Sequence, residues 1–142
     1  MSAAAGLVVL FGRVLFSVFF VRSGIGHVKR SQMMGDYARS AAFPAPYLAG
    51  WPAGVWLLAA SLLIAVGIWP DLGSLMISVF VVPAGLYFHR FWTIDDPAQR
   101  QTQSGNFFRN VALLGASFAM FGFFVAIGDG LRFAITKPLF TF

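Results

Sequence analysis

The segment that decides the fold is residues 3–26, AAAGLVVLFGRVLFSVFFVRSGIG, in which Arg13 and Arg22 are the only charged residues. An α-helix needs about 20 mainly apolar residues to cross a hydrocarbon core of about 30 Å. No Lys or Arg precedes the run, its apolar stretch is longer than that of a secretory signal, and no small-x-small cleavage site follows it at the right place. We therefore expect residues 3–26 to form a retained membrane span.

Three further apolar runs of similar length follow, at residues 53–69, 72–91 and 107–127. The chain has 142 residues, is 58% hydrophobic and carries only 11% charged residues, whereas soluble domains carry about 25%. Too little polar surface is available to cover a water-soluble globule. The sequence predicts an all-α membrane protein, a four-transmembrane-helix antiparallel bundle in a single domain 1–142, with residues 128–142 forming an aromatic and basic tail.

The net charge of +5 arises from ten Lys and Arg residues, most of which lie between the apolar runs. Orientation of the protein in the membrane and contact with anionic lipid headgroups explain this pattern better than binding to nucleic acid does. We therefore expect the lipid bilayer as a partner, and no nucleic acid. An even number of spans places the two long loops, 28–52 and 92–106, on one side. The cations near that side outnumber Arg132 and Lys137 near the termini by six to two: Lys29, Arg30, Arg39, Arg90, Arg100 and Arg109. The positive-inside rule then predicts cytoplasmic loops and outward-facing termini.

Polar residues within the spans fall on single helical faces and are expected to turn inward, away from lipid. Arg13 lies about two turns inside the terminal side, where Asp71 and Asp129 are the only carboxylates. We expect Arg13 to form a structural ion pair with one of them; a proton or substrate role is the alternative. Small residues, Gly54 among them, predict a close-approach face on the second span.

The two histidines of the chain, His27 and His89, end their inward faces on the loop side. An imidazole there has several possible roles: a hydrogen bond to a quinone carbonyl, a proton relay, a metal or haem ligand, or a bond to backbone or water at a helix end. We predict a pocket or cofactor-binding site formed by His27, His89, Trp92, Asn106, Arg109 and Asn110.

Several other chemistries are excluded by what the sequence lacks. There is no Cys, and hence no thiolate catalysis or iron–sulfur ligation. There is no phosphate-cradling Gly loop, HExxH motif or nucleophile elbow. We predict no catalytic residue, no metal site and no intrinsic cofactor, and the chain is not expected to be catalytic alone.

Six short segments resemble motifs of the DoxX family of membrane proteins. They are Gly12-Arg13-Val14-Leu15-Phe16 with Ser23-Gly24-Ile25-Gly26-His27; Phe43-Pro44-Ala45-Pro46 with Gly67-Ile68-Trp69-Pro70-Asp71-Leu72-Gly73; His89-Arg90-Phe91-Trp92; and Asn106-Phe107-Phe108-Arg109-Asn110-Val111-Ala112-Leu113-Leu114-Gly115. The resemblance spans roughly residues 7 to 125. It departs at Trp56 and Leu57, where many members carry a Glu early in the second helix.

The resemblance implies a four-helix membrane bundle associated with membrane redox systems, including the small subunits of thiosulfate:quinone oxidoreductase, and we expect the bacterial inner membrane as its location. The function that follows is an accessory subunit of a quinone-linked electron-transfer complex, which packs against a catalytic partner and lines a quinone or lipid pocket. One alternative is a purely structural subunit of a respiratory or photosynthetic complex, favoured by the tail. The other is a stand-alone carrier of a lipid or quinol, which would require an open cavity among the polar faces.

Overall fold

The computed structural model describes residues 1–141; Phe142, the last residue of the predicted tail, lies outside them. Within that range it contains five α-helices and no strand. They are α1 (Ala3–Lys29), α2 (Ser31–Ser40), α3 (Trp51–Val66), α4 (Pro70–Pro83) and α5 (Pro97–Ile127). A π-helical segment, Ala84–Phe88, continues α4, and short 3-10 turns occupy Pro46–Leu48, Phe91–Thr93 and Gly128–Gly130. The all-α prediction is confirmed.

Three helices of the described chain are long and apolar enough to cross a bilayer. They are α1, α4 with its extension to Thr93, and α5 with its extension to Gly130. The protein is therefore an integral membrane protein. Helix α3 is equally apolar but has only 16 residues, a length of about 24 Å at 1.5 Å per residue. Three of the four predicted spans are thus found as long apolar helices, and a complete crossing by α3 stays a prediction.

Two stretches that the sequence analysis assigned to loops are helical. Residues 31–40 form α2, whose small residues Gly35 and Ala38 are buried. Helix α5 begins at Pro97, ten residues before the predicted span, because the Asp96 carboxylate accepts a hydrogen bond from the Gln99 backbone N–H at 2.8 Å and proline suits the first helical position. Both stretches are polar in composition and were therefore not predicted as helices, because hydropathy identifies the lipid-embedded part of a helix and not its polar ends.

The helices pack in the order α1, α3, α4, α5, each against the next. Helix α1 approaches α3 closely at Gly24 and Gly54, where a Cβ on Gly54 would lie 2.7 Å from the Gly24 carbonyl oxygen. The predicted close-approach face of α3 is confirmed at this glycine. The apolar core lies between α1, α3 and α4 and is formed by Phe20, Leu57, Ala60, Ile64, Ile77 and Val81.

Candidate functional site

A cavity of about 550 Å³ opens on the loop side of the bundle, within the range typical of small-molecule pockets. All five helices contribute to its wall. Seven of its twenty lining residues are aromatic, not counting histidine: Phe19, Phe20, Tyr37, Phe43, Trp56, Phe80 and Phe88. Phe19 and Val79 line the cavity and remain 42% and 63% exposed on spanning helices. The cavity therefore communicates with the lipid-facing surface as well as with the loop side.

Helix α2 and the loop that follows it form part of the cavity wall on the loop side. The Tyr37 hydroxyl donates a hydrogen bond to the Phe88 carbonyl oxygen at 3.0 Å, and the two rings lie 5.3 Å apart. Arg90 donates from Nη2 to the Ala41 carbonyl oxygen at 3.0 Å. These bonds attach α2 to the end of α4, so residues far apart in sequence form one wall.

The π-helical segment sets the position of His89. Pro83 has no backbone N–H and cannot make the usual helical hydrogen bond, so the helix changes its winding directly after it. The segment ends at His89, whose own N–H donates to the Gly85 carbonyl oxygen at 3.3 Å. Single turns of π-helix are frequent at functional sites. A proline within the third predicted span is expected to bend it, and the structure shows a π-helical segment directly after Pro83.

His27 lies in the last turn of α1 and lines the cavity. Its Nδ1 is 2.6 Å from the carbonyl oxygen of Ala49, in the connection to α3. The imidazole ring also meets the Phe80 ring edge-on, with centroids 5.6 Å apart and an interplanar angle of 84°. These two contacts fix the plane of the imidazole and leave Nε2 as the ring nitrogen available to a ligand.

His89 lines the same cavity and connects it to polar residues of α5. Its Nδ1 is 2.8 Å from Oε1 of Gln103, and that oxygen is 3.5 Å from Nδ2 of Asn106. Gln103 was missed by the sequence analysis because the span was placed from residue 107 onward. Its spacing of three and seven residues before Asn106 and Asn110 is the signal that would have placed it on the same helical face.

Arg109 and Asn110 complete the wall from α5. The Arg109 guanidinium carbon is 5.8 Å from the centroid of the Phe19 ring, an arrangement in which the cation is attracted by the ring face. Nδ2 of Asn110 is buried and has no hydrogen-bond partner among residues 1–141. A buried amide without a partner costs free energy unless a ligand or water accepts its hydrogen bond.

Four of the six predicted pocket residues thus line one cavity, and two do not. The Trp92 ring packs edge-on against Phe107 with centroids 5.5 Å apart, outside the cavity wall, and remains 49% exposed. Asn106 reaches the site only through Gln103. Trp92 belongs to the 3-10 turn Phe91–Thr93 that follows His89, where the chain leads away from the cavity before α5 begins.

The expected ion pair of Arg13 is not formed. Among residues 1–141, neither Asp71 nor Asp129 lies within salt-bridge distance of its guanidinium group. Arg13 is only 2% exposed and donates from Nε to the Ile64 carbonyl oxygen and from Nη2 to the Ala65 carbonyl oxygen, each at 2.8 Å. These carbonyls belong to the last turn of α3, where the helix itself supplies no N–H group to the carbonyl oxygens. The cation therefore caps the carboxyl end of α3, where the helix dipole also favours positive charge.

The C-terminal tail closes the opposite end of the bundle from the cavity. Arg13 Nη2 also donates to the Phe133 carbonyl oxygen at 3.0 Å, and the Gly67 carbonyl oxygen accepts the backbone N–H groups of Ile135 and Thr136, each at 3.0 Å. Asp71, in the first turn of α4, accepts the Phe140 backbone N–H at 2.7 Å. Asp71 is thus a second structural anchor for the tail, while Asp129 lies exposed in the turn after α5.

The fold and the cavity define a class: a small helical membrane protein whose bundle is sealed at one end by its own tail and open at the other. Among residues 1–141 no cluster of three or more His, Asp or Glu side chains is placed to hold a metal ion.

The particular family follows from sequence comparison: the family model DoxX matches residues 8–90, more than half of the chain, and the protein belongs to the DoxX family. The matched segment includes most of α1, all of α2 to α4 and both histidines, whereas α5, with Gln103, Arg109 and Asn110, follows it. No curated protein and no solved structure matches the chain.

Proposed function

We propose that this DoxX protein is an accessory subunit of a quinone-linked electron-transfer complex, in which its cavity holds a quinone-type or lipid molecule beside a catalytic partner. The single observation that carries the proposal is the aromatic-walled cavity with two histidines and an unpartnered Asn110 amide. A ligand with an apolar body and a polar head would match such a wall, and it could enter from the bilayer past Phe19.

The direct test is ligand binding by the purified protein in detergent or lipid nanodiscs. Trp56 lines the cavity, so its emission should be quenched by a decyl-substituted 1,4-benzoquinone at concentrations that leave a Trp56→Phe variant unaffected. A matched control is Trp69→Phe, because Trp69 lies at the opposite end of the bundle and should leave the ligand-dependent quenching intact. Quenching that is the same in all three proteins, or absent, contradicts the proposal.

The partner is tested separately, by mild-detergent copurification from native membranes and mass spectrometry. A redox enzyme recovered in a fixed ratio supports the proposal. Recovery of the chain as a lone protein that still binds the quinone favours the stand-alone carrier instead, for which the open cavity is the specific supporting observation.

The purely structural alternative loses its main support, because the tail packs against its own chain. Arg132 donates from Nε to the Met1 carbonyl oxygen at 2.8 Å, and the Phe140 and Phe121 rings lie 5.8 Å apart.

We propose that the protein lies in the bacterial inner membrane, with the loop side and the cavity mouth facing the cytoplasm and the tail facing outward. Labelling of single cysteines at exposed Gln99 and Ile135 in intact cells tests it, with only Ile135→Cys expected to react.

A further inference from the structure

The hydrogen bond of His27 determines what its free nitrogen can do. Its Nδ1 lies 2.6 Å from the Ala49 carbonyl oxygen, and a carbonyl oxygen can only accept a hydrogen bond. Nδ1 must therefore carry the proton. In a neutral imidazole this leaves Nε2 as a hydrogen-bond acceptor. Ala49 is itself held, since it is only 9% exposed and its N–H donates to the Pro46 carbonyl oxygen at 3.2 Å.

His89 is not constrained in the same way. Its Nδ1 partner is a glutamine side chain, and rotation of that amide by 180° exchanges an acceptor for a donor. Either tautomer of His89 can therefore be accommodated by Gln103. Of the two histidines, only His27 presents a fixed hydrogen-bonding character to the cavity.

Two groups that α5 contributes to the wall, the Arg109 guanidinium and Nδ2 of Asn110, are hydrogen-bond donors and so have the opposite character. Nδ2 of Asn110 is a buried donor without a partner among the described residues. The cavity thus offers a fixed acceptor from α1 and an unused donor from α5. A hydroxyl group can donate to one and accept from the other, whereas a carbonyl group can only accept.

We propose that the cavity selects a lipid-soluble aromatic molecule by a hydroxyl group that donates to Nε2 of His27, so that it binds a hydroquinone in preference to the oxidised quinone. This inference rests on the proposed function and adds to it the redox form of the ligand. The aromatic wall favours a flat ring, because offset and edge-on ring contacts add to the apolar burial. A quinone carbonyl would place its lone pairs against the lone pair of His27.

The hydroquinone gains a hydrogen bond to Nε2 of His27, whereas the quinone leaves this acceptor without a partner. Such a difference corresponds to about a tenfold change in dissociation constant. The test titrates the purified protein with a decyl-1,4-benzoquinone and with its hydroquinone under anaerobic conditions, following Trp56 emission. A redox-inert pair, 4-decylphenol and its methyl ether, removes any contribution from electron transfer.

In the unaltered protein, the hydroquinone should bind about tenfold more tightly than the quinone, and the phenol more tightly than its ether. His27→Phe keeps a ring beside Phe80 but has no acceptor, and should bring both ratios close to one. His89→Phe should keep both ratios, because the preference is assigned to His27 alone.

The outcomes separate this inference from the proposed function. Equal affinities for the two members of each pair, or tighter binding of the quinone and ether, overturn the selection of a donor while leaving a ligand-binding cavity. Absence of binding by all four compounds overturns both. If His27→Phe does not fold, the two ratios in the unaltered protein still decide the inference.

Discussion

The glycine contact between α1 and α3 provides the sharpest test of the packing. Substitution of Gly54 by Ala would place a Cβ 2.5 Å from Cγ2 of Val28 and 2.7 Å from the Gly24 carbonyl oxygen. The Val28 methyl group can rotate away, but the Gly24 oxygen belongs to the backbone, so α1 and α3 must move apart. Overpacking of this kind costs about 1–3 kcal/mol, and the better helix propensity of Ala offsets up to about 1 kcal/mol of it. We expect a net loss of about 1–2 kcal/mol.

The measurement is reversible unfolding in mixed micelles with increasing SDS, followed by circular dichroism and Trp emission. Gly122→Ala is the matched control, because a Cβ at this α5 position would meet no atom within 4 Å. It should leave the free energy of unfolding unchanged or raise it by less than about 1 kcal/mol. Equal shifts for the two variants would refute the close contact between Gly24 and Gly54.

Three further predictions concern the end of the bundle that the tail closes. Arg13→Met should lower the free energy of unfolding by about 3 kcal/mol, because the Ile64 and Ala65 carbonyl oxygens lose their buried donors; a loss below about 0.5 kcal/mol in the same SDS titration would contradict the capping role. Gly67→Ala should cost at least about 1–2 kcal/mol, since Gly67 has a φ of +72° and its Cβ would lie 2.7 Å from Nη2 of Arg13; thermal unfolding comparable to that of Gly122→Ala would count against it. Removal of residues 131–142 should increase amide hydrogen exchange in the α3–α4 turn while leaving the cavity-lining part of α1 protected; unchanged exchange in that turn would show that the tail does not seal it.

The candidate site was predictable only in part. Helical spacing placed His27, His89, Arg109 and Asn110 on inward faces, and the structure brings all four to one cavity. Trp92 was included because it follows His89 closely in the sequence, but the chain turns away from the cavity after His89. The contribution of Tyr37 to the aromatic wall had no signal in hydropathy, because α2 is polar on average. Phe43 lies in the loop that follows α2, outside the predicted spans.

The membrane class and the approximate positions of the long apolar helices were determined by the sequence alone, since burial in hydrocarbon depends on local apolar content and length. The partners of the polar side chains were decided only by the tertiary structure. Arg13 had two carboxylates within plausible reach, yet the unpaired carbonyls at the end of α3 and the backbone of the tail accept its hydrogen bonds. Hydrogen bonding depends on distances of a few tenths of an ångström between segments more than 50 residues apart, and no local pattern in the chain encodes such distances.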